Sequence, residues 1–237
     1  MRAMSGNDEK AIAPRGAFFG RRKGHKLRRG RAELIASVLP RLALDLLTPA
    51  PADLRTLFPV PVTRAALEIG FGGGENLVRE AAADSSTGII GCEPFINGMA
   101  SALALIETHN LRNIQLHHGD AVEVLDWLPA SSIERVDLLY PDPWPKKRHR
   151  KRRFVSDATI ARFARIVARG GTFRFATDIA DYAEWTLTHF LRSTEFEWTA
   201  ERADDWRKPW PAFGGTRYES KALKEGRRPC YLVFRRR

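Results

Sequence analysis

The chain has 237 residues, enough for one domain with a substantial core, and 43% of them are hydrophobic. No segment approaches the roughly 20 uninterrupted apolar residues of a membrane-spanning helix, and the polar start lacks the apolar stretch of a secretion signal. Cys92 and Cys230 are the only cysteines, too few for a disulfide framework. The composition therefore excludes a membrane-embedded or disulfide-stapled class and predicts a soluble, cytoplasmic protein.

The formal net charge of +11 is concentrated in two segments. Eight Lys and Arg residues and no acid lie from Arg15 to Arg31, and seven more lie in KKRHRKRR at 146–153, so the rest of the chain carries about −4. Aromatic residues such as Phe19 and Trp144 lie close to these runs. Local basicity beside rings on which bases can stack favours a nucleic-acid partner. Solvated charged tails, or a localisation signal in the second run, are the alternative.

The elements follow a regular order along the chain. Residues 1–30 lack a hydrophobic period, which predicts a flexible basic arm, and residues 31–237 are predicted to form a single domain. A helix interrupted by Pro40 is predicted first, followed by a proline-rich connector. Predicted strands then lie at 65–70, 87–93, 113–118, 135–140, 172–178, 196–200 and 230–237. Predicted helices lie at 31–47, 74–83, 95–109, 121–128, 158–170 and 179–191.

This alternation predicts an α/β fold of Rossmann-like type, with a mostly parallel seven-stranded sheet and helices on both faces. The last two strands have no clear helix between them, so the C-terminal strand is expected to run antiparallel. Ligands of such sheets bind at the carboxyl ends of the strands, near the point where strand order reverses. Residues that follow the strands are therefore the candidates for chemistry.

The first strand is followed by GFGGGE at 70–75, with glycines at alternate positions. Gly70, Gly72 and Gly74 allow the backbone to approach a nucleotide-like ligand where a Cβ would clash. The dinucleotide fingerprint would need a small residue where this chain has Glu75, whose carboxylate would oppose a pyrophosphate at the helix N-terminus. A ligand without phosphate, such as S-adenosylmethionine, fits better, although a plain tight turn remains the alternative.

The next two strands also end in acids. Glu93 follows Gly70 by 23 residues, the spacing at which an acid accepts hydrogen bonds from ribose hydroxyls. Asp120 follows the third strand, where it could accept from an adenine amine or only cap the next helix. Three consecutive strand ends thus supply the groups that an adenosine needs.

The segment YPDPWPKKRH at 140–149 is the most distinctive in the chain. Three prolines in five residues fix the backbone and direct the side chains of Asp142 and Trp144. A turn with only a structural role rarely combines a carboxylate, a tryptophan and so many cations. The segment therefore predicts a functional loop.

The combination of LEIGFGGGENL, GCEP, GDA, PDPWPKKRHRKRR, ATD and TRYE resembles the bacterial tRNA (guanine-N7-)-methyltransferases, which have the class I methyltransferase fold. The resemblance covers roughly residues 15–237. The PDPW loop with its basic run is highly specific, whereas the glycine motif is shared with many methyltransferases. Two segments differ mildly from the family pattern: the usual Thr-Lys-Phe-Glu reads Thr-Arg-Tyr-Glu, and the loop continues with Pro145.

The resemblance implies S-adenosylmethionine as methyl donor and tRNA as substrate, methylated at guanine 46 of the variable loop. With the two glycines of the turn, the implied donor-binding residues are Glu68, Gly70, Gly72, Glu93, Asp120 and Asp142. Asp142 is also the implied catalytic residue. The implied RNA-binding residues are Lys146, Asp178, Thr216, Arg217, Tyr218 and Glu219. No metal and no obligatory protein partner are expected, in a monomer or a homodimer.

Guanine N7 carries a lone pair and no proton, so its methylation needs no strong general base. The six histidines show no metal-ligand spacing, and no nucleophilic triad is visible. Catalysis is expected to come from positioning and electrostatics. Asp142, Asp178 and Glu219 are the candidate acceptors for the N1–H and N2–H donors of the guanine.

Three alternatives remain open from the sequence. An amino-methyltransferase acting on DNA or protein usually has two prolines between its Asp or Asn and the aromatic residue, where this chain has one. A nicotinamide-dependent oxidoreductase is disfavoured by Glu75. A non-catalytic RNA-binding module would use the same fold as a scaffold, and the acids at successive strand ends argue against it.

Overall fold

The computed structural model describes residue 20 and residues 22–237. Most of the arm predicted over 1–30 lies outside the described residues. Within them, 22–28 contain no helix or strand, and the first helix begins at Arg29, two residues before the predicted domain boundary.

The end of this segment is bonded to the body of the protein. The Asn97 side chain accepts a hydrogen bond from the Gly24 N–H at 2.9 Å and donates one to the His25 carbonyl at 2.8 Å. The Ile96 N–H donates to the Arg22 carbonyl at 3.1 Å. Residues 22–25 are therefore part of the folded domain.

The described residues contain a seven-stranded sheet in the order β3-β2-β1-β4-β5-β7-β6. Its strands are β1 (Arg64–Ile69), β2 (Thr87–Cys92), β3 (Ile114–His117), β4 (Ile133–Leu139), β5 (Val167–Thr177), β6 (Phe196–Trp198) and β7 (Cys230–Arg236). The first five strands are mutually parallel, and β7 pairs antiparallel with both β5 and β6. The predicted fold class, including the antiparallel C-terminal strand, is confirmed.

Helices cover both faces of the sheet. They are α1 (Arg29–Ser37), α2 (Leu39–Leu42), α3 (Glu75–Ala83), α4 (Ile96–Thr108), α5 (Ala121–Trp127), α6 (Asp157–Ile166), α7 (Ala180–Arg192), α8 (Asp204–Arg207) and α9 (Arg217–Lys224), with short 3₁₀ helices at Leu54–Leu57 and Lys147–Arg152. Because successive strand residues point to opposite faces, β2 sends Ile89 into a core with α3 and α4, and Ile90 into a core with α5, α6 and α7. The alternating apolar elements of the sequence thus build two cores, one on each face.

The structure differs from the sequence prediction at three places. Helix α6 ends at Ile166 rather than at 170, because Val167 already pairs with Ile133 in the sheet. The predicted helix over 31–47 is divided into α1 and α2, and Pro40 lies in the first turn of α2, where its missing N–H costs nothing.

The third difference is the segment between β6 and β7, which holds α8 and α9 where no clear helix was predicted. A local signal for α9 was present in Thr216-Arg217-Tyr218-Glu219. Thr216 and Glu219 form a capping box, in which each side chain accepts a hydrogen bond from the backbone N–H of the other residue. This box fixes where α9 begins.

Candidate active site

A cavity of about 500 Å³ opens at the carboxyl ends of the central strands. It lies where the chain, after building β1, β2 and β3 outward in one direction, continues with β4 on the other side of β1. This reversal of strand order is the position where open α/β sheets bind ligands. The residues after β1, β2, β3 and β4 contribute to its wall.

The glycine turn after β1 forms one side of the cavity. Gly70, Gly72 and Gly74 have φ angles of 70°, 58° and 84°, a region that other residues rarely adopt. Close packing adds a second constraint, because a Cβ on Gly74 would lie 2.5 Å from the Cβ of Ala102 in α4. Gly70 and Gly72 line the cavity, as their predicted role requires.

Glu93 connects the turns that follow β1 and β2. Its carboxylate accepts hydrogen bonds from the Gly72 N–H at 2.7 Å and the Phe95 N–H at 2.8 Å. Burial raises the pKa of this carboxyl, while the two backbone donors and the Arg217 charge lower it. Glu93 lies in the cavity wall and shapes the glycine turn from below.

Asp120 lies in the cavity wall, and of the two roles considered from the sequence the structure confirms that of a helix cap. Its Oδ1 accepts a hydrogen bond from the Val122 N–H at 3.0 Å and caps α5. Its Oδ2 receives no hydrogen bond from the residues that the structure describes. Helix capping therefore leaves one oxygen available to a ligand.

The PDPW loop after β4 forms the opposite wall, and its backbone is unusual. Tyr140 and Trp144 both have positive φ, at 50° and 41°, a conformation that costs free energy in residues other than glycine. Between them, Asp142 is accessible to solvent and lines the cavity. Partial burial of the Asp142 carboxyl by the surrounding protein raises its pKa above the ordinary value.

The basic run after this loop does not all face solvent. The side chain of Arg153 is fully buried, donates to the Pro143 carbonyl at 2.9 Å and forms an ion pair with Asp181 in α7. Its guanidinium also lies 4.8 Å from the ring centroid of Tyr182. Arg150 joins the same carboxylate at 2.5 Å. Two of the cations expected to bind phosphate therefore hold the loop against α7.

Glu68 lies outside the cavity wall, although the family resemblance assigns it to donor binding. It is only 3% exposed and accepts a hydrogen bond from the Asn76 side chain at 2.9 Å. Burial, together with the nearby Asp137 carboxylate, raises the pKa of Glu68 from 4.5 to about 8. Glu68 is therefore bonded to the first turn of α3 through Asn76, and its raised pKa favours the neutral form at pH 7.

The predicted RNA-binding residues are divided between two environments. Arg217 and Tyr218, at the start of α9, line the cavity. Lys146 is exposed at the beginning of the basic run, and Thr216 caps α9.

Asp178 and Glu219 lie behind Tyr140, outside the cavity lining, and both are engaged within the protein. Asp178 forms an ion pair with Arg227 at 2.6 Å, and Glu219 accepts from the Tyr231 hydroxyl as well as from the capping box. Burial of the Tyr140 hydroxyl, followed by its proximity to Tyr231 and to the two acids, raises the pKa of that hydroxyl. The two acids therefore cluster at the rear of the PDPW loop.

Two further features concern the part of the chain that the structure describes. No helix there combines the length and apolar character needed to cross a bilayer. No group of three or more His, Cys, Asp or Glu side chains in the same residues is placed to hold a metal ion.

Solved structures that resemble this fold include methyltransferases. The chain aligns with the 16S rRNA methyltransferase KamB at a TM-score of 0.53 and 14% identity, covering 74% of this chain and 89% of that one. It also aligns with a precorrin-6y C5,15-methyltransferase from Geobacter metallireducens at a TM-score of 0.50 and 16% identity, covering 78% and 88%. At these identities the likeness defines the fold, which is that of a Rossmann-like methyltransferase.

Sequence comparison gives the family. Residues 63–231 match a family described as putative methyltransferase. A tRNA (guanine-N(7)-)-methyltransferase of Rhodopseudomonas palustris strain BisB18 is 59% identical over 231 residues, covering 97% of this chain and 92% of that protein. One from Rhizobium meliloti strain 1021 is 58% identical over 220 residues, covering 93% and 95%. The chain belongs to the tRNA (guanine-N7-)-methyltransferase family, as its motifs predicted.

Proposed function

We propose that this protein transfers a methyl group from S-adenosylmethionine to N7 of a guanine in tRNA, with guanine 46 of the variable loop as the target. The observation that carries the proposal is the convergence of Glu93, Asp120 and Asp142 on one cavity beside a glycine turn. The two relatives described above are named for this activity, and the chain aligns with nearly their whole length.

The cavity fits an adenosine-containing donor without phosphate. The carboxylate of Glu75 lies 2.6 Å from where a Cβ on Gly73 would stand, so a negative charge occupies the entrance of α3 where a pyrophosphate would bind. The open Oδ2 of Asp120 and the carboxylate of Glu93 suit the amine and hydroxyl donors of an adenosine. We assign Gly70, Gly72, Glu93, Asp120 and Asp142 to donor binding, with Glu68 acting indirectly through the turn.

The donor supplies a methyl group activated by a sulfonium charge. Asp142 would stabilise the positive charge that moves from donor to purine during transfer, because a carboxylate held in the cavity wall needs little reorganisation. Pro141 and Pro143, on either side of Asp142, restrict the backbone that holds this position. Asp142 therefore carries the catalytic role, through electrostatics and positioning rather than proton abstraction.

Binding of the guanine requires an exchange of partners behind Tyr140. Asp178 is paired with Arg227, and Glu219 is buried outside the cavity lining, where it is bonded to Tyr231 and to the start of α9. We propose that Asp178 exchanges the exposed Arg227 for the N–H donors of the guanine. Glu219 then acts by holding α9 in place, and Asp142 completes the contact from the cavity side.

The tRNA backbone would contact the outward-facing cations of the basic run. Phosphate contacts supply affinity without reading bases, and the cations suited to this are Lys146, Lys147, Arg148 and Lys151, all of which are exposed. We also propose that the basic arm predicted over residues 1–30 adds to this affinity. A deletion that tests it should stop at residue 21, because residues 22–25 are bonded to α4. Such a reaction, and the free thiols of Cys92 and Cys230, fit a reducing cytoplasm.

The decisive experiment is nucleoside analysis by mass spectrometry of unmodified tRNA incubated with the protein and S-adenosylmethionine. We expect 7-methylguanosine, and we expect it to disappear from a tRNA in which guanine 46 is replaced by adenine. Duplex DNA and NAD serve as controls for the alternatives considered from the sequence. Methyl transfer to an exocyclic amine, or binding of NAD in preference to S-adenosylmethionine, would refute the assignment.

A further inference from the structure

Arg217 and Tyr218 face the donor side of the cavity, although the family resemblance assigns them to RNA. They line the same cavity as Glu93 and Gly72. A Cβ added to Gly72 would lie 3.5 Å from Arg217 Nη2 and 3.6 Å from Tyr218 Cε2. The first turn of α9 therefore covers the glycine turn, which is the element proposed to hold the donor.

The position of α9 is fixed by contacts on its other side. The Arg79 guanidinium, from α3, donates to the Gly215 carbonyl at 2.9 Å, just before α9. The buried Glu219 accepts from the hydroxyl of Tyr231 in β7. Together with the capping box, these contacts leave Arg217 and Tyr218 as the part of α9 that overhangs the cavity.

Among residues 20 and 22–237, four cationic side chains line the cavity, and three of them belong to the basic run. Arg153 is committed to Asp181, Arg152 lies 5.0 Å from the ring centroid of Trp144, and Lys151 is exposed. The fourth, Arg217, lies beside the glycine turn, with its guanidinium 4.9 Å from the ring centroid of Tyr218. Among the described residues, no carboxylate lies within ion-pair distance of Arg217.

S-adenosylmethionine carries two positive groups, the ammonium and the sulfonium, and a single negative group, the carboxylate of its methionine part. The acids of the cavity suit the positive groups and the ribose hydroxyls, but they repel a carboxylate. A guanidinium, in contrast, binds a carboxylate through two parallel hydrogen bonds. We propose that Arg217 binds the carboxylate of the methyl donor, and that Arg217 and Tyr218 close the donor side of the cavity. This inference rests on the proposed function, because it specifies how the same donor is held.

The test measures binding of two probes by calorimetry in the absence of RNA. S-adenosylhomocysteine contains the amino-acid carboxylate, and 5′-methylthioadenosine lacks it. For Arg217→Ala we expect the Kd of S-adenosylhomocysteine to rise about 10-fold or more, as loss of a charge-assisted hydrogen bond implies. The Kd of 5′-methylthioadenosine should stay within about 2-fold of the wild-type value. Arg217→Lys should fall between wild type and Arg217→Ala for S-adenosylhomocysteine.

Lys221→Ala is the matched control, since Lys221 is an exposed cation one turn further along α9. Both Kd values should stay at the wild-type level in this variant. An unchanged S-adenosylhomocysteine Kd in Arg217→Ala would overturn the proposal, and so would an equal loss for both probes. These outcomes are independent of the RNA target: wild-type protein that binds S-adenosylhomocysteine but yields no 7-methylguanosine would refute the proposed function and leave the carboxylate contact to be judged by the two probes.

Discussion

The residues of the basic run at 146–153 fall into two groups, one buried and one exposed, although they carry the same charge. Arg153 points inward, with its side chain fully buried between the Pro143 carbonyl and Asp181. Lys147 and its exposed neighbours point outward. Removal of a buried arginine takes away its packing and leaves its hydrogen-bond acceptors without a donor, which is far more costly than the loss of an exposed arginine.

Replacement of Arg153 should therefore disturb the position of the PDPW loop, and replacement of Lys147 should weaken the binding of tRNA. We expect Arg153→Ala to lower Tm by several degrees and kcat by about 10-fold or more, because Pro143 and Asp181 lose their common partner. Lys147→Ala should leave Tm and kcat unchanged and raise KM for tRNA. Thermal denaturation and steady-state kinetics measure these quantities. Identical kinetic constants for the two variants would contradict the assignment of Arg153 to loop anchoring and of Lys147 to RNA binding.

Asp142 provides the second prediction at this scale. Asp142→Ala should lower kcat by about 100-fold or more, as loss of preorganised charge stabilisation implies. The Kd of S-adenosylhomocysteine should change by much less, because Glu93, Asp120 and the glycine turn remain in the wall. Single-turnover kinetics and calorimetry give the two quantities. An unchanged kcat would remove Asp142 from the mechanism.

Glu68 predicts a dependence of stability on pH. Its pKa is raised from 4.5 to about 8 in the folded protein, so between these values the folded form retains a proton that the unfolded form has lost. Stability therefore falls as pH rises across this interval. Glu68→Gln has no such proton, and its stability relative to wild type should grow from pH 4.5 to pH 8 and then level off. Urea unfolding at several pH values tests this, and a constant difference would show that Glu68 is ionised in the fold.

At the scale of elements, the 3₁₀ helix at Lys147–Arg152 presents cations on one side of the active-site loop. Its exposed members are Lys147, Arg148 and Lys151, of which Lys151 also borders the cavity. Arg150 instead pairs with Asp181. The helix thus joins two functions, since its inner side anchors the loop to α7 and its outer side is available to phosphates.

The triple variant Lys147→Ala, Arg148→Ala, Lys151→Ala tests the outer side. Each lost phosphate contact removes about 0.7–0.9 from the slope of log Kd against log salt concentration, so the slope for tRNA should fall by about 2. Arg162→Ala is a control, because Arg162 is partly exposed and is already paired with Asp126 at 2.6 Å. A slope in the triple variant equal to that of wild type would exclude this helix from the RNA interface.

At the scale of the whole molecule, the parallel sheet brings distant strand ends to one edge, while the net charge of +11 is carried mainly by two short segments. We therefore expect the donor and the RNA to be held by different forces. The proposed donor site is a cavity that offers short-range hydrogen bonds, whereas the proposed RNA interface consists of exposed cations whose attraction is screened by salt.

This division predicts different salt responses for the two ligands. The affinity for tRNA should fall about 100-fold or more between 50 and 200 mM salt, as for a protein with several phosphate contacts. The affinity for S-adenosylhomocysteine should change by less than about 3-fold over the same range. Fluorescence anisotropy with labelled tRNA and calorimetry with S-adenosylhomocysteine measure the two affinities. A tRNA affinity independent of salt would contradict the proposed interface.

The fold and the position of the candidate site could be predicted from the amino-acid sequence. Periodic apolar runs predicted the strands and helices, and the acids after successive strands had to converge because the carboxyl ends of parallel strands meet at one edge of a sheet. The glycine turn and the PDPW loop were equally readable, since their local residue types dictate their backbone. These features depend on residues that are close together in the chain.

Which charged side chains are exposed and which are paired within the protein could not be predicted, because this depends on the contacts of the folded chain. Glu68 is buried and bonded to Asn76, Arg153 is buried against α7, and Arg217 lines the cavity. Each placement depends on contacts between distant segments, such as that of Arg79 with Gly215, which are 136 residues apart. No local pattern encodes such contacts, because a side chain's role in a charged cluster depends on the partner that the fold brings to it.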